Sequence, residues 1–564
     1  MPSEVLLHHL NDILGTSHKL TTDGMRSLLK EIRATSHDFG EAYGKVRQWW
    51  TIPHLDGVHG LVYYTSLYRR EATREARRRH AVESSSLSSS YMPPRRIWDL
   101  HSNRVVPLGV ILGDDYGDTF DVLPDQLWTI SHSWVADAER KMVWTTINNK
   151  RWPVPIPRAT SLEHIRVELL NMGAEYVWLD VLCLRQQGRE EDEDRRIEEW
   201  KIDVPTIGYI YRGNPRSRPC VTYFNGLGLP LTTGLSALSS DRHWFNRVWT
   251  LQESLTTWLP GGLTGEALPA GTEFFSRLEG LARLVAVEDQ NDHLVSELIR
   301  RHCAKELDRI AGLTYCFRCP TLTLYDETAS VEQAWRSLLK HATSSVWRHS
   351  IFLRYAADTP FALFPSWKTY SVGDPILSPM TGCSSSELDI SHVYACNMEQ
   401  LHHRGYHFLS ETCKISSLSP RTADDGLSPA TLRLHFPSKS RSVVVTPVDI
   451  HGALLSTAFY RIVRICSIPY QFWVIVEDVS EPLPHSFDQQ RKLPTVSARP
   501  VIKWAVLQIS EHDEDRLSAF VTDDQEVVYL SEAESLKKTK HGRKYLQMFQ
   551  HMKETGRTYM SRFA

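Results

Sequence analysis

The chain lacks the signatures of the commonest enzyme classes. It holds no Gly-x-x-x-x-Gly-Lys-Ser/Thr loop. The nearest approach, Gly40-Glu-Ala-Tyr-Gly44-Lys45, is one residue short and places Val46 where a metal-binding hydroxyl belongs. It has no Gly-x-Ser-x-Gly elbow, no His-Glu-x-x-His helix and no Gly-x-Gly-x-x-Gly after a strand. These absences argue against a nucleotide-driven machine, an α/β-hydrolase, a zincin and an ordinary dehydrogenase. No apolar run approaches the ~18 residues of a membrane span. The first residues lack the basic start and long apolar core of a secretory signal. Cysteine is sparse: nine are scattered through 564 residues. Together these features point to free thiols in a reducing, cytoplasmic compartment. Net charge is only −3, so no global field selects nucleic acid or an anionic membrane. No fixed-period repeat occurs.

Metal-ligand patterns are equally thin. Cys316-Phe-Arg-Cys319 is the single Cys-x-x-Cys and has no second pair at zinc spacing. His402-His403-Arg404-Gly405-Tyr406-His407 reads as a polar loop rather than a ligand set.

What is present is a folded composition, 41% apolar and 23% charged, in a chain long enough for two to four domains. Seventeen tryptophans is a high count; most belong in cores, some in cleft walls. Leu6, Leu7, Leu10, Ile13 and Leu14 follow helical spacing, so residues 1–83 read as a helical region. It ends in Arg69–His80, a basic stretch read as a solvated helix face. The serine run 84–90 and Pro93-Pro94 predict a linker over 84–94.

From 95 to 275 strand and helix patterns alternate. Trp128–Ser131, the apolar run Tyr176–Leu184 and Cys220–Phe224 read as strands. A helix over Ile165–Met172, capped from Thr160-Ser-Leu-Glu163, and helices over Arg195–Tyr211 and His243–Leu255 separate or follow them. This order predicts an α/β, doubly wound, mainly parallel sheet, with ligands beyond the carboxyl ends of its strands. Residues 276–375 read as helical, including Leu294–Glu306 and Ser330–His341. Residues 376–530 form a β-rich domain with strands at Ser442–Val448, Ala458–Ile468, Phe472–Val479, Ile502–Ser510 and Glu526–Leu530. Residues 531–564 read as a charged C-terminal helix.

The chemistry that remains is a pair of carboxylates on an aromatic frame. Asp180 lies inside an apolar run and needs a partner; Arg247 and Arg185 are candidates, for a structural pair or for a ligand-binding carboxylate. Glu253 follows Trp249 by four residues, which places both on one face of the expected helix. In Ser131-His132-Ser133, strand alternation puts both serines on one side and the histidine on the other, which disfavours a Ser–His nucleophile. Cys183 sits in an apolar run that disfavours a thiolate.

Three segments occur in order: Leu127-Trp-Thr-Ile-Ser-His-Ser-Trp134, Tyr176-Val-Trp-Leu-Asp-Val-Leu-Cys-Leu-Arg-Gln186 and Arg242-His-Trp-Phe-Asn-Arg-Val-Trp-Thr-Leu-Gln-Glu253. Together they resemble the heterokaryon-incompatibility (HET) domain of fungi over about residues 91–275, with a looser echo to about 375. Trp178, Asp180, Cys183 and Gln186 match that family's second motif, and Arg247 and Trp249–Glu253 its third. In the first motif Val135 stands where many members carry glycine.

HET domains are similar to the TIR fold, some members of which cleave NAD at the nicotinamide–ribose bond. Trp249-Thr-Leu-Gln-Glu253 resembles the TIR segment Trp-Cys-Leu-x-Glu, with Thr250 in place of Cys. The resemblance implies a role in non-self recognition and cell-death signalling, with protein partners or self-assembly. It implies Glu253 as catalytic carboxylate, with Ser131, Ser133, Trp134, Asp180, Gln186 and Trp249 as ligand contacts. Trp178, Cys183 and Arg247 would be structural, and NAD would be the substrate, with no cofactor required. A non-catalytic interaction module and a hydrolase of another substrate remain alternatives.

Overall fold

A computed structural model describes residues 1–83, 86–112, 123–212, 218–253, 258–264, 272–286, 291–317, 319, 321–341, 366–372, 403–419, 431–452, 459–466, 471–478, 499–509, 511–518 and 525–531. The chain forms two compact units, Met1–Thr343 and Ser344–Ala564.

The first unit opens with helices Ser3–Leu14, Met25–Thr35, Phe39–Val46 and Gly57–His80. Leu6, Leu7 and Leu10 pack with Met25, Leu28, Leu29, Ile32 and Tyr64, as the helical spacing requires. Asp38 and Asp56 cap the third and fourth helices by accepting the N–H of Glu41 and His59. Gly57 is needed for a backbone crossing: a Cβ there would lie 2.0 Å from the nitrogen of Met25.

These helices dock on the rest of the first unit through one buried and one half-exposed ion pair. Arg47 binds the fully buried Asp99 through two hydrogen bonds of 3.0 Å, and Arg104 reaches Asp38 at 2.7 Å. The basic stretch is only partly a solvated face. Arg74 and Arg78 are buried, the latter donating to the Pro93 carbonyl at 3.0 Å. Within the serine-rich segment expected as a linker, Ser86 and Leu87 fold inward. Ser86–Leu87 is a buried strand paired with Val82–Glu83 and Leu322–Thr323. One leucine with serines small enough to bury beside it suffices for a strand; Ser86 donates back to the Glu83 carbonyl.

The central sheet has six strands: β1 Arg96–Asp99, β2 Arg104–Pro107, β3 Leu127–His132, β4 Tyr176–Trp178, β5 Cys220–Tyr223 and β6 Trp258–Pro260. Their order is β6-β5-β3-β4-β1-β2. The pairs β6–β5, β5–β3 and β3–β4 are parallel, and β1 and β2 extend the β4 edge antiparallel. The unit is therefore α/β with a mixed sheet. Helix Leu162–Asn171, capped by Ser161, connects β3 to β4. Helices Glu193–Asp203 and Ile207–Arg212, broken around Pro205, connect β4 to β5. Residues Ile130, Val177, Trp178 and Val221 of the strands are buried with Leu169, Tyr209 and Tyr211 of these helices.

Two expectations in this region are corrected. The apolar run Tyr176–Leu184 is not one strand: β4 stops at Trp178 and Asp180–Cys183 forms a helical turn. The Asp180 carboxylate accepts the N–H of Val181 at 2.7 Å, a local bond that turns the chain. His243–Leu255 is not a helix but two 3₁₀ turns, Trp244–Asn246 and Trp249–Leu251. The carbonyls of Trp244 and Arg247 are bound by Thr250 Oγ1 at 2.6 and 2.8 Å, and the N–H of Val248 goes to His302. The i→i−4 ladder has lost its partners. The helix expected over Leu294–Glu306 ends at Arg300 and 301–306 is not helical, a new helix starting at Leu307, while Val331–His341 forms as expected.

The second unit carries β7 His403–Ser419, β8 Thr431–Phe436, β9 Arg441–Val445, β10 Pro447–Gly452, β11 Phe459–Cys466, β12 Gln471–Asp478, β13 Arg499–Ile509 and β14 Gln525–Ser531. Pairings β7–β11, β11–β12, β12–β13, β13–β14 and β14–β7 close a ring. The histidine-rich segment read as a loop opens β7, and Gly405, Tyr406 and His407 pair with β14. The helix expected over 531–564 lies outside the described residues apart from Ser531, which ends β14. Among the described residues no helix is long and apolar enough to cross a membrane.

Candidate functional site

The site forms where β3 ends. Alternation along a strand sends neighbours to opposite sides. Ser131 and His132 use this to engage two different carboxylates. Ser131 Oγ donates to Glu253 Oε2 at 2.5 Å, across 122 residues of sequence. The indole N–H of Trp244 donates to the same Oγ at 2.6 Å. Trp244, Ser131 and Glu253 thus form a directed chain: the indole supplies a donor, which leaves the serine proton to point at the carboxyl. On the other side, His132 Nε2 lies 2.8 Å from Asp180 Oδ1, while its Nδ1 lies 3.1 Å from the carbonyl of Ser133. The ring of Trp134 stacks on His132 with centroids 6.0 Å apart, and the Arg140 guanidinium lies 5.0 Å over that indole.

The two carboxyls are driven apart electrostatically. Burial pushes Glu253 up to about 7, and nearby Asp180 adds to this; the Ser131 hydroxyl, His132 and Arg301 only partly oppose it. Burial also acts on Asp180, but its imidazole partner and the Val181 N–H outweigh it and hold the carboxyl below its usual range. For His132, burial disfavours the charged ring, yet Asp180 raises it above the ordinary histidine value. At neutral pH the site therefore holds an ionised Asp180 against an imidazole whose charged form it favours, with Glu253 near half protonation at pH 7.

The fates of the expected residues differ. Ser131, Asp180 and Glu253 converge, with Trp134 beside them. Ser133 is buried and ties strand ends together, donating to the Phe224 carbonyl at 3.2 Å. Gln186 donates to the Leu184 carbonyl at 3.1 Å and so fastens the turn after Asp180. Trp249 points elsewhere, toward Tyr325 with centroids 6.2 Å apart, because a 3₁₀ turn does not superpose i and i+4. Trp178 is a core ring set edge-on to Tyr211. Cys183 is buried, its thiol pushed up to about 12 by desolvation, so it is no nucleophile at neutral pH. Neither arginine considered for Asp180 pairs with it. Arg185 turns to Asp192 and Glu199, and Arg247 contributes its backbone, bridged to His302. The partner is His132, a residue already next to Ser131 in sequence. Trp244 is the second residue missed; only its place in the same tryptophan-rich segment hinted at it.

Beside Glu253 lies a small, partly open space of about 10 Å³, bordered by Thr222, Phe224, Trp244 and Trp258. That is room for about one water. Among the described residues no group of three histidine, cysteine or acidic side chains is placed to hold a metal ion. The chain matches no protein-family model, no curated protein and no solved structure.

Proposed function

We propose that this chain is a fungal HET-domain protein of non-self recognition and cell-death signalling. In this reading its α/β unit is a doubly wound, TIR-like domain that cleaves NAD at the nicotinamide–ribose bond. The observation that carries the proposal is the Trp244–Ser131–Glu253 chain at the carboxyl end of β3. The parallel strands run β4-β3-β5-β6, so the winding reverses between β3 and β5. Crevices at such a reversal are where open α/β sheets bind ligands.

Glu253 would act as follows. The nicotinamide ring of NAD is cationic, and a cation beside a carboxyl poised near 7 favours its ionised form. The carboxylate then faces the positive charge that develops on the ribose as the C–N bond breaks. Nicotinamide leaves neutral, taking the bonding pair. Water attacks the ribose carbon, and its proton passes to Glu253 and on to solvent. Ser131 and Trp244 position the carboxyl.

The small space beside Glu253 favours a second reading, an interaction module whose motif residues are purely structural. Under the first reading the small space must widen before a nucleotide enters. Incubating the purified full chain with NAD and following free nicotinamide and ADP-ribose separates the two. Release of both in equal amounts supports cleavage; no release in monomeric or assembled protein supports the interaction module.

A further inference from the structure

A second cavity lies in the same unit, next to the space beside Glu253, with Leu281 lining both. It is a solvent-open cleft of about 720 Å³ between helices Thr272–Ala286 and Asn291–Arg300, with Phe245 and Asn246 at its wall. Pockets of roughly 300–1,000 Å³ hold small molecules. Three arginines line this one, Arg277, Arg300 and Arg301, against two carboxylates, Glu273 and Glu297. The lining is therefore one positive charge in excess.

The existing pairs leave donors to spare. Arg277 donates from Nε to Glu273 at 2.8 Å and from Nη1 to the Leu238 carbonyl at 3.5 Å, which leaves Nη2, and Arg300 meets Glu297 through one terminal nitrogen. Both arginine side chains are exposed, 42% and 74%, and such surface pairs are readily exchanged. Arg301 is different. Its side chain is 1% exposed, donates from Nε to Glu297 at 3.1 Å, and from Nη1 to the Arg247 carbonyl and Thr250 Oγ1 at 2.9 and 2.8 Å. Its Nη2 is buried with no hydrogen-bond partner. A buried guanidinium with an unused donor is costly, and an anion in the adjoining cavity relieves that cost by its charge.

We propose that this cavity is a binding site for a phosphate-bearing small molecule of nucleotide size. Arg277 and Arg300 clamp the phosphate oxygens through their free N–H groups, and Arg301 supplies the buried positive charge behind them. Leu281, Leu284 and Phe245 supply the apolar wall for the remainder of the ligand. Glu253 does not line this cavity, and the cavity's ligand need not be a substrate.

Calorimetric titration of the full chain with pyrophosphate, AMP and adenosine tests this. Pyrophosphate and AMP bind and adenosine does not. AMP binding tighter than pyrophosphate identifies a nucleotide; the reverse identifies a free inorganic anion. Because Arg301 also holds the 3₁₀ turns, the variants are the exposed pair, Arg277→Gln with Arg300→Gln. They weaken phosphate binding about tenfold or more, while circular dichroism and melting stay as in the parent. Glu253→Gln leaves this binding unchanged, so failure here is distinguishable from failure of the NAD reading. Absence of phosphate binding at millimolar ligand, equal binding of adenosine, or binding indifferent to the double variant would overturn the proposal.

Discussion

Asp180 and Glu253 are two half-buried carboxyls flanking one strand end, and they behave in opposite ways. Asp180 has an imidazole at 2.8 Å and sits below the usual carboxylate range. Glu253 has only a hydroxyl at 2.5 Å and is pushed up to about 7. Burial acts on both; the charge of the partner decides which way each goes. The difference sorts structure from chemistry. A carboxylate satisfied by a cation holds the fold together. One left with neutral donors keeps an uncompensated cost, and groups perturbed in this way concentrate at functional sites.

The largest effect that tests this contrast is one of stability at Glu253. Its folded value is raised above the unfolded 4.5, so folding favours the protonated acid. Stability falls as pH rises from about 4.5 to about 7 and is level above that. The difference corresponds to about 3 kcal/mol at pH 8. Glu253→Gln, which mimics the neutral acid, is expected to be more stable than the parent by up to about that amount at pH 8. At pH 4 the two should be nearly equal. Urea titrations at the two pH values read this directly, and equal midpoints at pH 8 would mean that Glu253 is not desolvated.

Asp180→Ala should do the reverse. It strands His132 in the core, and breaking a buried pair costs roughly 3–5 kcal/mol, reduced here to about 2–3 because a quarter of the Asp180 side chain is exposed. The sign with pH is set by both members. Asp180, lowered, loses its contribution as pH falls below 3.8 and through its folded value; His132, raised, loses its own as pH rises above 6.5 and through its folded value. The destabilisation is thus greatest between those limits. An unchanged melting temperature at pH 6 would dissolve the contrast.

Ser131→Ala removes the hydroxyl and leaves the Trp244 N–H and the Glu253 carboxyl unpartnered. The expected cost is about 1–2 kcal/mol, and Glu253 titrates higher still, since Ser131 lowers it. Carboxyl titration followed by infrared or carbon NMR reports the shift. The smallest effect is at Trp134. Replacing it by Leu removes the ring stacked on His132 and costs about 1 kcal/mol, with the Glu253 titration unmoved.

Much of the architecture is legible in the sequence. The leucine spacing in the first helix, the Ser161 cap and β3, β5, β11 and β12 appear where the patterns put them, within a residue or two. Signals carried by local chemistry read well. What failed was decided by distant partners or by a side chain bonding its own backbone. Tyr176–Leu184 looks like one strand until Asp180 binds its neighbour's N–H. His243–Leu255 looks like a helix until Arg301, some fifty residues on, takes the Arg247 carbonyl. At the site, Ser131, Asp180 and Glu253 stand out in the sequence as unusual residues. The identity of Asp180's partner does not, because an arginine and a histidine satisfy a carboxylate equally well on paper. Trp249 is favoured over Trp244 only through a helical spacing that the chain does not adopt.

The most direct test of the account compares nicotinamide release from NAD by the parent and by Glu253→Gln, both verified as folded, at pH 7. The parent is expected to release nicotinamide and ADP-ribose together. Glu253→Gln is expected to lose the activity, because Gln keeps the shape and the Ser131 contact but removes the negative charge facing the ribose. A folded Glu253→Gln protein that cleaves NAD at the parent's rate would contradict the account.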